Sequence, residues 1–232
     1  FRRHRNSPIS LSARFETSLK EPDFYEQHLY TNHFMWDNDF SKVSTTKIQA
    51  ALDIPKWKLH ASAGYALLAN NIYYDTLAVI RQNTEPMSIL TASLRKDFHL
   101  GVLRLDNRAL FQLSSKPEVV PLPMVVVNLR YYLQFPIVRE DVLKMQIGVD
   151  ARYNTLWYAQ GFNPVTGTFY NQNEEQYGNC PYFDVFMNLQ WKQACIFLKM
   201  ENAGQGWPKD SHDYFSAHHY IYPSRSLKFG IY

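Results

Sequence analysis

The chain has 232 residues, 16% of them aromatic, a net charge of +3 and a mean hydropathy of −0.36. So small a positive balance gives no electrostatic footprint for nucleic acid, and no run of about 18 or more apolar residues exists to form a membrane-spanning helix. Two cysteines are too few for a disulfide framework.

The basic run FRRHR at 1–5 reads as a turn or a frayed end, and a sequence that starts at Phe1 in mid-pattern is expected to be a mature or truncated product. From Ile9 onward, ten stretches place apolar residues at every second position. That is the period of a strand, whose successive side chains point to opposite sides of a sheet. The first sets Ile9, Leu11, Ala13, Phe15 and Leu19 against Ser10, Ser12, Arg14, Glu16 and Ser18. The second sets Ile48, Ala50 and Leu52 against Lys47, Gln49 and Asp53, and the third sets Trp57 to Leu67 against Lys58, His60, Ser62 and Gly64. Leu90, Ala92 and Leu94 oppose Thr91, Ser93 and Arg95, and a turn is predicted at Lys96 to Phe98.

In the fifth stretch Leu103, Leu105, Ala109 and Phe111 oppose Arg104, Asp106, Arg108 and Gln112. Phe98, Leu100 and Val102 break its parity at the start, which predicts a bulge or a shifted boundary. Val125 to Leu133 then alternate with Asn128, Arg130 and Gln134. The clearest pattern follows, with Leu143, Met145, Ile147, Val149, Ala151 and Tyr153 against Lys144, Gln146, Gly148, Asp150 and Arg152. Phe183, Val185, Met187, Leu189 and Trp191 oppose Tyr182, Asp184, Phe186, Asn188 and Gln190. Ala194, Ile196, Leu198 and Met200 oppose Cys195, Lys199 and Glu201, and Leu227, Phe229 and Ile231 oppose Lys228 and Gly230.

Short connections near 54–56, 96–98, 136–141 and 191–193 alternate with long ones near 21–41, 69–87, 114–123, 154–181 and 203–223. A soluble sandwich also alternates along each strand, but it has no reason to keep all its long loops at one end. A transmembrane β-barrel does, with short periplasmic turns and long extracellular loops, and it satisfies every backbone group within a closed sheet. The fold expected is therefore an all-β antiparallel transmembrane barrel over 1–232, with the last strand running inward from the loop ending near Pro223. Trp57, Tyr131, Tyr132, Phe135 and Trp191 near inner ends, and Tyr153 and Trp157 near an outer one, fit two interfacial girdles. Cys180 and Cys195 would sit about 9 residues apart along the sheet, ~30 Å at ~3.3 Å per residue, so two free thiols are predicted.

The segments EPDFYEQHLYTNHFMWDNDF (21–40), LDIPKWKLHASAGYALLANNIYYDTLAV (52–79), IGVDARYNTLWYAQGFNPVTGTFYNQ (147–172), DVFMNLQWKQACIFLKMENAGQGW (184–207) and DYFSAHHYIYPSRSLKFGIY (213–232) resemble the bacteroidete-type putative porin family. The resemblance covers nearly the whole chain. It implies a bacterial outer-membrane barrel that passes small hydrophilic solutes passively. Family members are longer at the N-terminus and continue past KFG-x-x. The resemblance thus implies that these residues are part of a larger barrel whose other strands come from further sequence, a second copy or another subunit.

On this reading Arg14, Glu16, Lys47, Lys58, Arg95, Arg104, Asp106, Arg108, Arg130, Lys144, Asp150, Arg152, Asp184, Lys199, Glu201 and Lys228 line the pore. Leu143, Met145, Ile147, Val149, Val185, Met187, Leu189, Ile196, Leu198, Leu227 and Phe229 face outer-membrane lipid. Unpaired cations in a narrow aqueous path favour anions, whereas charges paired across neighbouring strands only solvate the interior. The DSHDYFSAHH segment invites a metal reading, with His212, Asp213, His218 and His219. Adjacent histidines on an extended chain point apart, so no metal site and no cofactor are expected. Asp37 with Asp39, and Glu174 with Glu175, lack an EF-hand spacing and read as solvated loops. No nucleophile elbow or zinc-binding helix accompanies His212 and Asp213, so no enzyme is expected. Loops rich in Tyr, Asn, Gly and Trp suit docking of another outer-membrane subunit as well as capping a pore.

Overall fold

The computed structural model describes residues 9–138, 142–206 and 215–231; FRRHR, and His212 with Asp213, lie outside them. Ten strands follow one another: β1 (Ser10–Lys20), β2 (Val43–Ile54), β3 (Leu59–Ala69), β4 (Met87–Leu100), β5 (Leu103–Ser114), β6 (Val125–Pro136), β7 (Leu143–Asn154), β8 (Tyr182–Trp191), β9 (Ala194–Glu201) and β10 (Ser226–Ile231). Each pairs antiparallel with the next, in one ten-stranded sheet without crossovers. Such a meander is what alternating apolar stretches joined by turns must build, because only antiparallel neighbours can be linked by a two-residue turn. The sheet is open: among the described residues β1 pairs only with β2, and β10 only with β9.

All four short connections lie at one end of the sheet, and the long ones lie at the other. Between β2 and β3, Pro55–Trp57 makes a single 3-10 turn and Lys58 takes a left-handed conformation (φ 48°) to re-enter the sheet. Lys58, expected within a strand, is thus a turn residue. The turn expected at Lys96 to Phe98 is instead at Gly101 and Val102. Gly101 has φ +63°, the backbone that a two-residue hairpin demands at its first central position and that a glycine adopts without a Cβ clash. Phe98 and Leu100 therefore complete β4, and its register with β5 runs unbroken from Ile89↔Ser114 to Leu100↔Leu103. Of the two alternatives, a bulge or a shifted boundary, the shifted boundary is the one found: the register has no bulge, and the later turn accounts for the broken parity.

Cross-strand partners in register share a face. One row runs Phe98, Leu105, Tyr131, Val149, Val185, Met200, Leu227 through seven strands, and the next runs Leu103, Leu133, Ile147, Met187, Leu198, Phe229. This apolar face is uncovered: Ile147 is 40% exposed and Phe229 79%. The apolar core lies at the long-loop end, where Ile80, Met87, Val119, Ala159 and Tyr177 are buried. There the long connections fold into small antiparallel hairpins, His28–Tyr30 with Met35–Asp37, Asn71–Tyr74 with Ile80–Asn83, Gly161–Asn163 with Thr168–Tyr170, and Phe215–Ala217 with Tyr220–Ile221.

Candidate functional site: the polar face and the loop cluster

The opposite face of the sheet carries charge. Arg95, Arg108, Asn128, Arg152 and Tyr182 form one row across five strands, and Asp97, Asp106, Arg130, Asp150 and Asp184 form its neighbour. By register Arg14, Glu16 and Lys47 share this face at one side of the sheet. Arg104, Lys144, Lys199, Glu201 and Lys228 share it elsewhere. Lys58 joins from its turn, its Nζ 2.6 Å from His99 Nδ1. Leu143, Met145, Ile147, Val149, Val185, Met187, Leu189, Ile196, Leu198, Leu227 and Phe229 all lie on the apolar side.

Several like charges stand directly opposite one another: Arg95 and Arg108, Asp97 and Asp106, Asp150 and Asp184, Lys199 and Lys228. Facing like charges destabilise a sheet, so the neighbouring ion pairs are what make this face tolerable. Asp184, only 2% exposed, takes Lys199 Nζ at 2.9 Å, Arg152 at 3.9 Å and the backbone N–H of Asn202 at 3.0 Å. Glu201 sits between the two lysines, 2.6 Å from Lys228 and 3.7 Å from Lys199. Arg130 reaches Asp150 at 3.5 Å and stacks on Phe186 with its guanidinium carbon 4.4 Å from the ring centre. Since Arg130 is on β6 and Phe186 on β8, the charged side is where side chains converge across strands. Arg14 with Glu16 at 2.9 Å and Arg95 with Asp97 at 3.4 Å pair along their own strands.

Asp97 and His99 belong to this face and were missed from sequence because the turn was placed too early. Tyr132, assigned to a girdle, also faces inward: it opposes Gly148, where an added Cβ would lie 2.4 Å from the Tyr132 Cβ. Trp157 is a loop residue bridged to Tyr177, not a rim residue. Trp57 and Trp191 do project at the short-turn end, each 58% exposed. Cys180 and Cys195 are both free, as expected, and Cys195 stands opposite Gln190.

At the loop end, buried amides tie the long connections together. Asn171 donates to the Tyr74, Glu118 and Val119 carbonyls, and Gln172 to those of Ala159 and Glu175. A cavity of about 260 Å³ opens between these loops and the polar face, lined by Trp157, Tyr177, Tyr182, Phe215, Tyr222 and Arg152. The DSHDYFSAHH histidines depart from expectation here. His218 and His219 are the two central residues of a hairpin turn closed by Ala217 and Tyr220, not part of an extended run. His219, at φ 66°, folds its ring to 3.7 Å from that of His218.

One loop feature gives a pH dependence. Burial pushes the Asp75 carboxyl up, but bonds from Arg81 Nε (2.5 Å) and from the Val79 and Leu77 N–H groups outweigh it and hold the carboxyl below its ordinary value. A depressed carboxylate stabilises fully above its ordinary range, and the contribution is lost as pH falls through the lowered value. Exchange protection of the Leu77 and Val79 amides is therefore expected to hold at pH 5 and to fail only below the ordinary carboxylate range. Asp75→Ala is expected to remove about 1.5–3 kcal/mol of that protection at neutral pH.

A family model described as "Putative porin" matches residues 1–232. No curated protein sequence matches the chain. Among solved structures the sheet is similar to the FrpB iron transporter from Neisseria meningitidis (F3-3 variant), with a TM-score of 0.61 and 13% identity. The match covers 98% of this chain and 37% of the transporter, so this chain spans little more than a third of that protein's length. At that identity the likeness concerns the fold.

Proposed function

The chain belongs to the putative porin family, and from that membership we propose that its ten strands form one arc of a bacterial outer-membrane barrel through which small hydrophilic solutes diffuse. The observation that carries this reading is the inversion of the sheet: aliphatic and aromatic rows are uncovered, while Asp184 is 2% exposed on the other face. In water an uncovered apolar face of this extent is a liability, whereas against acyl chains it is the stable arrangement. The strands of the arc from Ser10 to Trp191 run 10 to 14 residues, enough for the roughly 9–11 that a tilted spanning strand needs. The unpaired edges of β1 and β10 call for completion by further strands, because an open edge in lipid leaves backbone groups without partners.

On the polar side Arg14, Lys47, Arg95, Arg104, Arg108, Arg130, Lys144, Arg152, Lys199 and Lys228 outnumber Glu16, Asp53, Asp97, Asp106, Asp150, Asp184 and Glu201. Ion pairing neutralises cations and carboxylates alike, so the numerical excess of cations remains and the path favours small anions mildly. We assign it no catalytic step. In planar bilayers the full-length protein is expected to give stepwise conductance with a reversal potential displaced toward that of the anion. A cation-selective pore would contradict the charge argument.

The two open edges also favour a second reading, in which the arc is completed by another subunit or a second copy and the barrel serves as a scaffold. A protein that co-purifies with its partner and passes no current would decide for it.

A further inference from the structure

We propose that Glu174, His218 and His219 form a binding site for a transition-metal dication such as Zn²⁺ at the loop end of the sheet. One donor atom from each residue lies within 4.8 Å of the others. The His218 Nε2 and a Glu174 carboxylate oxygen are 3.7 Å apart. In a tetrahedral zinc site with bonds of about 2.0–2.1 Å, neighbouring donors lie roughly 3.3–3.4 Å from one another, so the His218–Glu174 pair is a few tenths of an ångström from the bound spacing, and the donor set, all within 4.8 Å, closes around the ion by side-chain rotation. Two imidazoles and a carboxylate are a three-ligand set that leaves a fourth position open.

The hydrogen bonds behind His218 decide which of its nitrogens faces the carboxylate with a lone pair. Tyr177 Oη donates to Glu175 Oε2 at 2.9 Å, and it lies 2.8 Å from His218 Nδ1. With its only proton committed to Glu175, Oη accepts from Nδ1–H, so in the neutral imidazole, the form that binds a metal, the lone pair is on Nε2 and directed at Glu174. A bare Nε2 facing a carboxylate, on a ring only 3% exposed, is a repulsive pair of acceptors that a dication relieves. The Glu175–Tyr177–His218 relay is the kind of outer support that fixes the tautomer of a metal-binding histidine. The left-handed His219 brings the third donor over the same point.

The inference does not depend on the channel reading, since it concerns the loops alone. Titration calorimetry of the full-length protein in detergent with Zn²⁺, and with Co²⁺ followed by its visible absorption, tests it. One ion per chain is expected. His219→Gln and Glu174→Gln change exposed side chains and leave the circular dichroism spectrum unchanged, and each is expected to weaken binding at least tenfold. Tyr177→Phe, which keeps all three ligands but frees the His218 tautomer, is expected to weaken it by about 10–100-fold. No saturable binding, or binding that His219→Gln and Glu174→Gln both leave intact, would overturn the proposal.

Discussion

Replacing Ile147 by lysine is expected to destabilise the membrane-inserted protein by about 2–4 kcal/mol, whereas Gln146→Lys, one residue away, is expected to change stability by under about 0.5 kcal/mol. Ile147 lies near the middle of β7 between Leu133 and Met187 on the apolar side, and Gln146 lies between Gln134 and Asn188 on the polar side. The two positions share backbone geometry and neighbours in sequence, so β propensity cancels between them. What differs is the medium that each side chain meets. A lysine at mid-strand on the lipid side must be desolvated or must snorkel, while one on the wet side adds a cation to a face already full of them. Urea unfolding from lipid vesicles reads both values. Equal, small losses at the two positions would mean that water reaches both faces.

The second large effect is expected at Asp184. Its carboxylate holds Lys199, Arg152 and the buried Asn202 N–H, so Asp184→Ala strips the Asn202 N–H of its acceptor, takes an ion-pair partner from Arg152 and leaves Lys199 with Glu201 at 3.7 Å. An orphaned buried N–H costs about 1–3 kcal/mol, and breaking a fully buried ion pair costs about 3–5 kcal/mol. Lys199 retains about a quarter of its exposure, which lowers the second figure, and a total near 3 kcal/mol is expected. The same change strips a negative charge from the polar face, so anion preference should rise in bilayer recordings. Asp184→Asn keeps an acceptor for the Asn202 N–H and should recover much of the stability while retaining the altered selectivity.

The strand plan of the sheet was legible in the sequence because period-two alternation survives wherever one face is apolar and the other charged. VLKMQIGVDARY at 142–153 needed no other information. The plan failed where the alternation ran through a turn without a polar break: Phe98 and Leu100 kept the pattern, and the glycine at 101 was the only local signal of reversal. That displacement hid Asp97 and His99. The loop cluster was not legible at all. Its hairpins are two to four residues a side, too short to show a period, and its order rests on amides such as Asn171 and Gln172 that bond carbonyls up to 97 residues away in the case of Asn171 and Tyr74. Histidines 218 and 219 were read as extended because nothing adjacent to them announces a turn; the left-handed conformation of His219 is imposed by the pairing of Ala217 with Tyr220. Openness at β1 and β10 likewise depends on what stands beside those edges, not on their own residues.

Because Cys180 and Cys195 form no disulfide, both can be replaced to give a background for single spin labels placed in turn from 143 to 153 in the lipid-embedded protein. Collision with dissolved oxygen is expected to peak at 143, 145, 147, 149 and 151, and collision with a water-soluble nickel chelate at 144, 146, 148, 150 and 152. Nickel accessibility at the odd positions, or loss of both signals there beneath another protein layer, would contradict an apolar face set against lipid.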